Sequence, residues 1–513
     1  MTDIIRIPDE TYITTEEGIQ GDAALRFELK DRQLNVYLKA ADVRVRYVTL
    51  RWSCAVERDT LILADRWERS YGDLEWKYPD CERYMPWYFI AHRNGVTTGT
   101  GVRVRPSGMV CFSCDPHSVT AWFDVRNGGT GVELNSRELL MGTLVCESYE
   151  GISAFEAMKR FCRVMCSDPV LPEKPVYGSN NWYYAYGNSS REEILADARL
   201  LSSLTEGLEN RPYMVIDDGW TVNRCCGPWL PNEKFGDMKT LADEFKQMDV
   251  RPGIWIRPLN NEDIAQAHPD WCIQARHDGE LYLDPTVPQV RDYLRSDLRR
   301  IKEWGYELVK HDFTTYDIFG AFGGGFKGSI TYYNNWSFHD KTKTSAEIVK
   351  ELYALIKEET AGQTVIGCNT VSHLSAGMFA LQRTGDDTSG REWGPTRRMG
   401  VNTLAFRLAQ NKAFYMVDAD CVGILGNNIP WKLNRQWLDL LSKSGSPLFV
   451  SCQPSAVNEE RIRDLKKAFE ISSVQSDIAE PLDWFYSKHP EIWSINGEKT
   501  VYDWHSGYIR KEP

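Results

Sequence analysis

Between residues 172 and 455, eight short apolar stretches alternate with stretches of helical periodicity, and this alternation restricts the fold more than any other feature of the chain. The strand candidates are "VYGSNNWYY", "YMVIDDGW", "RPGIWIRP", "YELVKHDF", "TVIGCNT", "FALQRTGDD", "AFYMVDAD" and "SPLFVS". Between several of them, segments such as "SREEILADARLLSSL", "VRDYLRSDLRRIKEWG" and "SAEIVKELYALIKEE" repeat apolar residues every three to four positions, as amphipathic helices do. Strands and helices in this order predict a (β/α)8 barrel of the TIM type, a fold of about 250 residues. A doubly wound open sheet is the alternative. It calls for a glycine-rich phosphate turn after its first strand, and none follows "VYGSN".

The chain before this region reads differently. "LRFELKD", "LNVYLKAADVRVRYVTLRWS", "TGTGVRVRPSGMVCFSC" and "VTAWFDVRNGG" alternate apolar and polar residues between Gly, Asn and Asp turns. Residues 1–170 are therefore expected to form an antiparallel β-sandwich domain. The Pro-rich "SDPVLPEKP" marks its end. The barrel is expected over 171–455. Residues 456–513 form a helix and a short β tail, whose "NG" step reads as a hairpin turn.

Composition narrows the partners. A net charge of −12 argues against nucleic acid and against an anionic membrane. No apolar run approaches the roughly 20 residues of a membrane span, and "MTDIIRIPDETY" lacks the features of a signal peptide, which predicts a cytoplasmic protein. The 13 cysteines are an odd, scattered set. Cys111 and Cys114 form a C-x-x-C without a second pair at zinc-ligand spacing, so buried free thiols are expected there and no metal. The 18 tryptophans and 24 tyrosines suit either a large core or the apolar faces of sugar rings. "GGGFKG" (323–328) matches a dinucleotide-type glycine pattern, but it opens no helix and is read as an active-site loop.

The strand ends carry the chemistry. In a barrel, residues at the C-terminal ends of the strands converge on one mouth. In order these are Asn181 and Trp182; Asp217 and Asp218; Trp255 and Arg257; Lys310 and Asp312; Cys368 and Asn369; Arg383, Asp386 and Asp387; and Asp418 and Asp420. The last two are read as caps of following helices, which favour Asp. Two opposed carboxylates in a sugar-sized, aromatic-lined pocket point to glycoside hydrolysis, in which one is ionised and the other holds a proton. Lys310 and Asp312, two apart on one strand, face the same way, so the ammonium would keep Asp312 ionised. Asp386 and Asp387 are adjacent, so ionising both is unfavourable and one is pushed towards its acid form. His311 faces the other side of the strand.

The run "LYLDPTVPQVRDYLRSDLRRIKEWGYELVKHDF", with "VIDDGW" before it and "RTGDD" after it, resembles the melibiase-type α-galactosidases of glycoside hydrolase families 27 and 36. The leading β-sandwich makes family 36 the nearer of the two. The resemblance implies that Asp312, ending a K-x-D motif, is the catalytic nucleophile and Asp386 the catalytic acid/base, with Asp387 as the other candidate. It implies that Asp217 and Asp218 bind sugar hydroxyls, that Lys310 and Arg383 contact the sugar, and that Cys368 and Asn369 match a C-N pair at the fifth strand. Trp182 and Trp255 complete the expected binding set. "GDD" departs from the commoner S-D-N and is nearer to raffinose-synthase relatives.

The expected activity is retaining hydrolysis of terminal α-galactosyl-type residues through a covalent glycosyl-aspartate, for which the two carboxyl groups stand about 5–5.5 Å apart. No cofactor or metal is needed. The expected partner is an oligosaccharide or α-galactoside substrate, and the resemblance also allows a homo-oligomer. A transglycosylase of the raffinose-synthase type and a non-catalytic carbohydrate-binding barrel are the alternatives.

Overall fold

The computed structural model describes residues 4–426 and 428–506; residues 507–513 of the expected tail lie outside the described residues. The N-terminal part holds two antiparallel sheets. The five-stranded sheet runs in the order Glu10–Thr15, Val45–Ser53, Ser118–Asp124, Met109–Asp115, Met85–Pro86. The six-stranded sheet runs Ala24–Lys30, Gln33–Lys39, Glu138–Glu150, Val96–Val102, Tyr88–Arg93, Leu61–Ala64. Alternation sets their inner faces: Leu34, Val36 and Leu38 of one strand, and Val48, Leu50 and Trp52 of another, are fully buried. The two layers meet where the Phe89 and Phe112 rings pack edge to face with centroids 5.7 Å apart. Cys111 and Cys114 are buried on the strand Met109–Asp115, and burial pushes both thiols up to about 12.

Helix Ala154–Met165, capped by the Ser153 hydroxyl, closes this part. It seats Phe161 directly over Gly99, where an added Cβ would stand 2.2 Å from the ring. Beyond it lies one parallel sheet of nine strands. In chain order they are β1 Tyr177–Asn180, β2 Tyr213–Ile216, β3 Arg251–Ile256, β4 Leu308–His311, β5 Thr364–Gly367, β6 Leu381–Arg383, β7 Met416–Asp418, β8 Cys421–Ile424 and β9 Leu448–Cys452. They pair in the order β7-β6-β5-β4-β3-β2-β1-β9-β8. Strands covered on both faces read as continuous apolar runs, which is why "YMVI" and "LFV" stood out in the sequence. Intervening helices sit close to their predicted bounds: Arg191–Leu204 starts on the Ser190 cap, and Ser345–Glu359 has a full Thr344/Glu347 capping box.

Two strands differ from expectation: "VYGSNNWYY" ends as a strand at Asn180, with Trp182–Ala185 a helical turn, and a second strand is interrupted. "AFYMVDAD" reads as a single strand, whereas the structure begins it at Met416, breaks it after Asp418 and resumes at Cys421. At the break Asp420 has φ 71°. Its carboxylate accepts from Thr388 N (2.8 Å) and Thr388 Oγ1 (3.0 Å), receives the Tyr183 hydroxyl and pairs with Arg383 at 3.1 Å. Asp418 accepts from the backbone N–H of Asp420. Neither residue caps a helix, so the expected capping role is corrected: Asp420 stabilises a left-handed kink that β-strand geometry would forbid.

The C-terminal segment forms helix Glu459–Ser472 and a three-stranded antiparallel sheet, Glu480–Pro481, Ile492–Ile495 and Glu498–Val501. Its hairpin turns at Asn496 (φ 51°) and Gly497 (φ 81°), the positive values a two-residue type I′ turn requires. No helix among the described residues is long and apolar enough to cross a membrane.

The N-terminal sheets are fastened to the strand ends by a buried ion pair. Arg407 donates to Asp65 Oδ1 at 2.7 Å, to Thr384 O at 2.8 Å and to Arg66 O at 3.2 Å. Gln410 donates to the other Asp65 oxygen at 2.7 Å. Both side chains of the pair are almost wholly excluded from water. Asp65→Ala would leave the guanidinium uncompensated, so a loss of about 3–5 kcal/mol in denaturant unfolding is expected. A loss below about 1 kcal/mol would show that this contact does not fasten the two parts.

Candidate active site

A cavity of about 480 Å³ opens at the C-terminal ends of the parallel strands, and all eleven predicted site residues line it. Trp182 comes from the exit of β1, Asp217 and Asp218 from β2, and Trp255 from β3. Lys310 and Asp312 come from β4, Cys368 and Asn369 from β5, and Arg383, Asp386 and Asp387 from β6. The other tryptophans mostly fill cores: Trp52, Trp87, Trp220, Trp229, Trp437 and Trp493 are fully buried.

Strand alternation divides the K-H-D triplet as expected. Lys310 and Asp312 face the cavity. His311 is buried behind them, with Nε2 3.3 Å from Thr314 Oγ1 and its ring against Tyr353 and Phe379. Burial pushes its pKa down to about 4, so the ring is neutral.

Asp312 sits in a converging set of donors. Oδ2 accepts from Trp255 Nε1 at 3.1 Å, while Oδ1 accepts from Asn369 Nδ2 at 3.0 Å and from the Phe313 backbone N–H at 2.8 Å. Burial alone would raise its pKa, but the positive charges of Lys310 and Arg69, with these hydrogen bonds, outweigh it and hold the carboxyl below its usual value. Lys310 acts on Asp312 through space; its direct partner is Asp217, 2.7 Å away. A short helix, Thr314–Phe319, does follow Asp312, but its N-cap is Phe313 at φ 63° and Asp312 does not cap it.

The β2 pair is split in role. Asp217 is the more engaged, accepting at Oδ2 from Asn180 Nδ2 (2.6 Å) and Lys310 and at Oδ1 from the Asp218 backbone N–H (2.9 Å), which leaves Oδ1 able to accept one more donor. Asn181, also at the exit of β1, accepts from the Asp217 backbone N–H through Oδ1 at 2.8 Å. Asp218 has a buried Oδ1 with no partner among the described residues, as does Asn369. Burial and the neighbouring Asp217 raise the Asp218 carboxyl to about 6. Buried oxygens without partners are uncommon in folded proteins, and two among the residues that line this cavity are acceptors that hydroxyl donors of a ligand would satisfy.

The adjacent aspartates after β6 are also unequal. Asp387 is gripped by Arg383 Nη2 at 2.8 Å. Burial opposes its ionisation, but Arg383, Arg69 and Lys310 together keep it below the usual carboxylate range. Asp386 has one looser contact, 3.4 Å from Arg69 Nη2. Arg383 itself is braced on Asp420, on the Gly385 carbonyl at 3.3 Å and on the Cys368 sulfur at 3.8 Å. Burial raises the Cys368 thiol well above its ordinary value, so it stays protonated.

Further residues line the cavity beside these. Arg257, named at the end of the third strand, pairs with the buried Asp317 at 2.7 Å and lies over the Phe313 ring. Tyr183, Cys225 and Phe322 complete the wall. Phe322 leads into the glycine-rich loop, which the N-terminal part pins in two places. Gly323 N donates to Glu68 Oε2 at 2.7 Å, and Trp67 Nε1 donates to Lys327 O at 2.8 Å. Arg69 and Tyr71 enter the cavity from that same N-terminal segment. Among the described residues no cluster of His, Cys, Asp or Glu is arranged to hold a metal.

Residues 163–316 match the sequence model of the Melibiase family. No curated protein sequence matches the chain significantly. Among solved structures, the α-galactosidase TtGalA of Thermus thermophilus, in complex with p-nitrophenyl α-D-galactopyranoside, superposes with a TM-score of 0.62 at 16% identity, over 94% of this chain and 99% of that one. The family 36 α-galactosidase AgaA of Geobacillus stearothermophilus, in complex with 1-deoxygalactonojirimycin, gives 0.63 at 14% identity, over 92% of this chain and 70% of that one. These likenesses show a shared fold from the N-terminal sheets to the parallel strands, and the family match falls on the segment that carries Asp217, Asp218, Lys310 and Asp312. The chain thus shares the fold of these α-galactosidases and carries, over residues 163–316, a segment that matches the Melibiase family model.

Proposed function

We propose that the protein is a retaining glycosidase that removes terminal α-galactosyl-type residues, with Asp312 as nucleophile and Asp386 as acid/base. The observation that carries this reading is the electrostatic division of the cavity's carboxylates. Asp312 is held ionised by Lys310, Arg69 and three hydrogen-bond donors, and Asp387 is held by Arg383, which leaves Asp386 as the less constrained of the two adjacent aspartates. A nucleophile must be ionised, whereas an acid/base must exchange its proton in each half-reaction.

In the first half-reaction an Asp312 oxygen attacks the anomeric carbon while Asp386 gives its proton to the glycosidic oxygen, and the aglycone leaves as an alcohol. In the second, Asp386 takes a proton from water as its oxygen bonds to the anomeric carbon, and Asp312 leaves as a carboxylate. Asp218, with its unpartnered oxygen, and Asp217 accept hydroxyl hydrogen bonds from the sugar, an arrangement that rejects a substrate lacking those hydroxyls. Trp182 and Trp255 offer aromatic surface to the ring. In the same reading, β7 and β8 are two pieces of one strand kinked at Asp420, which makes the nine segments an eight-membered closed barrel over 171–455. Residues 1–170 are then the sandwich domain and 456–513 the appended tail.

Turnover of a panel of p-nitrophenyl α-glycosides tests the substrate class. The α-galactoside is expected to be the best substrate, by at least about tenfold over the α-glucoside, because one inverted hydroxyl leaves a buried acceptor unpaired. Turnover of no α-galactoside overturns the reading. Transfer of the sugar to an added carbohydrate in place of release to water would assign the transglycosylase alternative.

A further inference from the structure

Residues 65–71 leave the N-terminal sheets and run along the exit of β6 as an added strand edge. Ser70 forms a parallel bridge with Gly385: Ser70 N donates to Thr384 O at 2.8 Å, and Asp386 N donates to Ser70 O at 2.9 Å. This register decides where side chains go. Ser70 turns inward to meet Thr403 Oγ1 at 2.7 Å, so Arg69 and Tyr71, on either side of it, turn to the cavity. Gly385 is required by the approach, since a Cβ there would stand 2.6 Å from Met399 O and 2.7 Å from Thr403 Oγ1.

Arg69 then lies against both adjacent aspartates. Its Nη2 is 3.4 Å from Asp386 Oδ1 and its Nη1 is 3.4 Å from Asp387 Oδ1, with the side chain almost wholly buried. We propose that Arg69, supplied by the N-terminal part of the chain, is a positioning residue for proton transfer. Together with Arg383 it fixes Asp387 in place and aims the Asp386 carboxyl at the departing oxygen. The inference rests on the reading of Asp312 and Asp386 given above.

The backbone geometry supports it independently of charge. The Asp386 N–H is bonded to the same segment that carries Arg69, so main chain and side chain are located by one element. That element is itself fixed at two points. Asp65 is held by Arg407 and Gln410, and Glu68 Oε2 receives Gly323 N. A guanidinium presents several donors in a rigid fork and can hold two carboxylates at set positions, which an ammonium cannot.

The test is leaving-group dependence. Arg69→Lys keeps the buried charge and with it the fold; Arg69→Gln removes both charge and fork. With 2,4-dinitrophenyl α-galactoside, whose leaving group departs without a proton, glycosylation by Arg69→Lys should stay within about threefold of wild type, whereas Arg69→Gln, which also takes a positive charge away from Asp312, should lose about tenfold. With a methyl or sugar aglycone the Lys variant should lose about tenfold and the Gln variant about 100-fold, part of the 10²–10⁴ that acid/base catalysis supplies. Equal losses on both substrates, or no loss on either, overturn the positioning role. Asp386→Ala is run in parallel. If it lacks leaving-group dependence, the acid/base assignment itself has failed; if it shows it and the Arg69 variants do not, only this inference has.

Discussion

Asp312→Ala is expected to lower kcat/KM for aryl α-galactosides on the order of 10⁴-fold or more, the scale seen when a covalent nucleophile is removed from an otherwise intact site. The loss should not depend on the leaving group, because without the attacking carboxylate even a good leaving group has no partner at the anomeric carbon. The variant should remain folded. Lys310 keeps its partner Asp217, and the groups left without an acceptor are Trp255 Nε1, Asn369 Nδ2 and the Phe313 backbone N–H, neutral donors that cost about 1–3 kcal/mol each where water does not take the carboxylate's place. Added azide gives a sharper outcome. The vacated space lies on the face opposite the leaving group, so azide entering it should yield the β-galactosyl azide from an α-galactoside. In the wild type, the acid limb of kcat/KM should fall below the ordinary aspartate value of 3.8, because Lys310, Arg69 and three donors favour the charged form. Near-normal activity in Asp312→Ala, or an α-azide product, would remove Asp312 from the nucleophile's place.

What could be read in the sequence follows from what is local. The parallel strands are buried on both faces and so appear as apolar runs, and a polar residue ending such a run is conspicuous. That is why Asp217, Asp218, Lys310, Asp312, Asn369, Arg383, Asp386 and Asp387 could be named, and why every one of them lines the cavity. The pairing of Lys310 was not legible. Spacing on β4 places it on the same face as Asp312, but its contact is to Asp217 on a strand two positions away in the sheet. The break between Asp418 and Asp420 was missed because a left-handed aspartate leaves no periodicity signal and is held by Thr388, Tyr183 and Arg383 from distant parts of the chain. Arg69 and Tyr71 were hidden for the same reason. They lie more than 300 residues before the aspartates they approach, in "RWERSYGD", whose charges look like an ordinary loop. A (β/α)8 pattern says which ends of its own strands converge, and nothing about which outside segment covers them.

Asp386→Ala carries the second large effect, and its pattern separates Asp386 from its neighbour. Removing the acid should lower turnover of poorly leaving galactosides by about 10²–10⁴-fold. Glycosylation by 2,4-dinitrophenyl α-galactoside should be nearly unaffected, since that phenolate needs no proton. The second half-reaction still needs a base, so the covalent galactosyl-Asp312 should accumulate and appear as a burst followed by slow release. Azide needs no deprotonation, so it should relieve that slow step and give the α-galactosyl azide, of opposite configuration to the product expected from Asp312→Ala. Asp387→Ala should behave otherwise. Asp387 is bound to Arg383 and held as the anion. Its removal frees a buried guanidinium that also braces Asp420 and Cys368. KM should therefore rise for all leaving groups alike, without a burst and without azide rescue. If the burst and the α-azide belong to Asp387→Ala instead, the two aspartates exchange roles, and the grip of Arg383 on Asp387 must loosen when substrate enters.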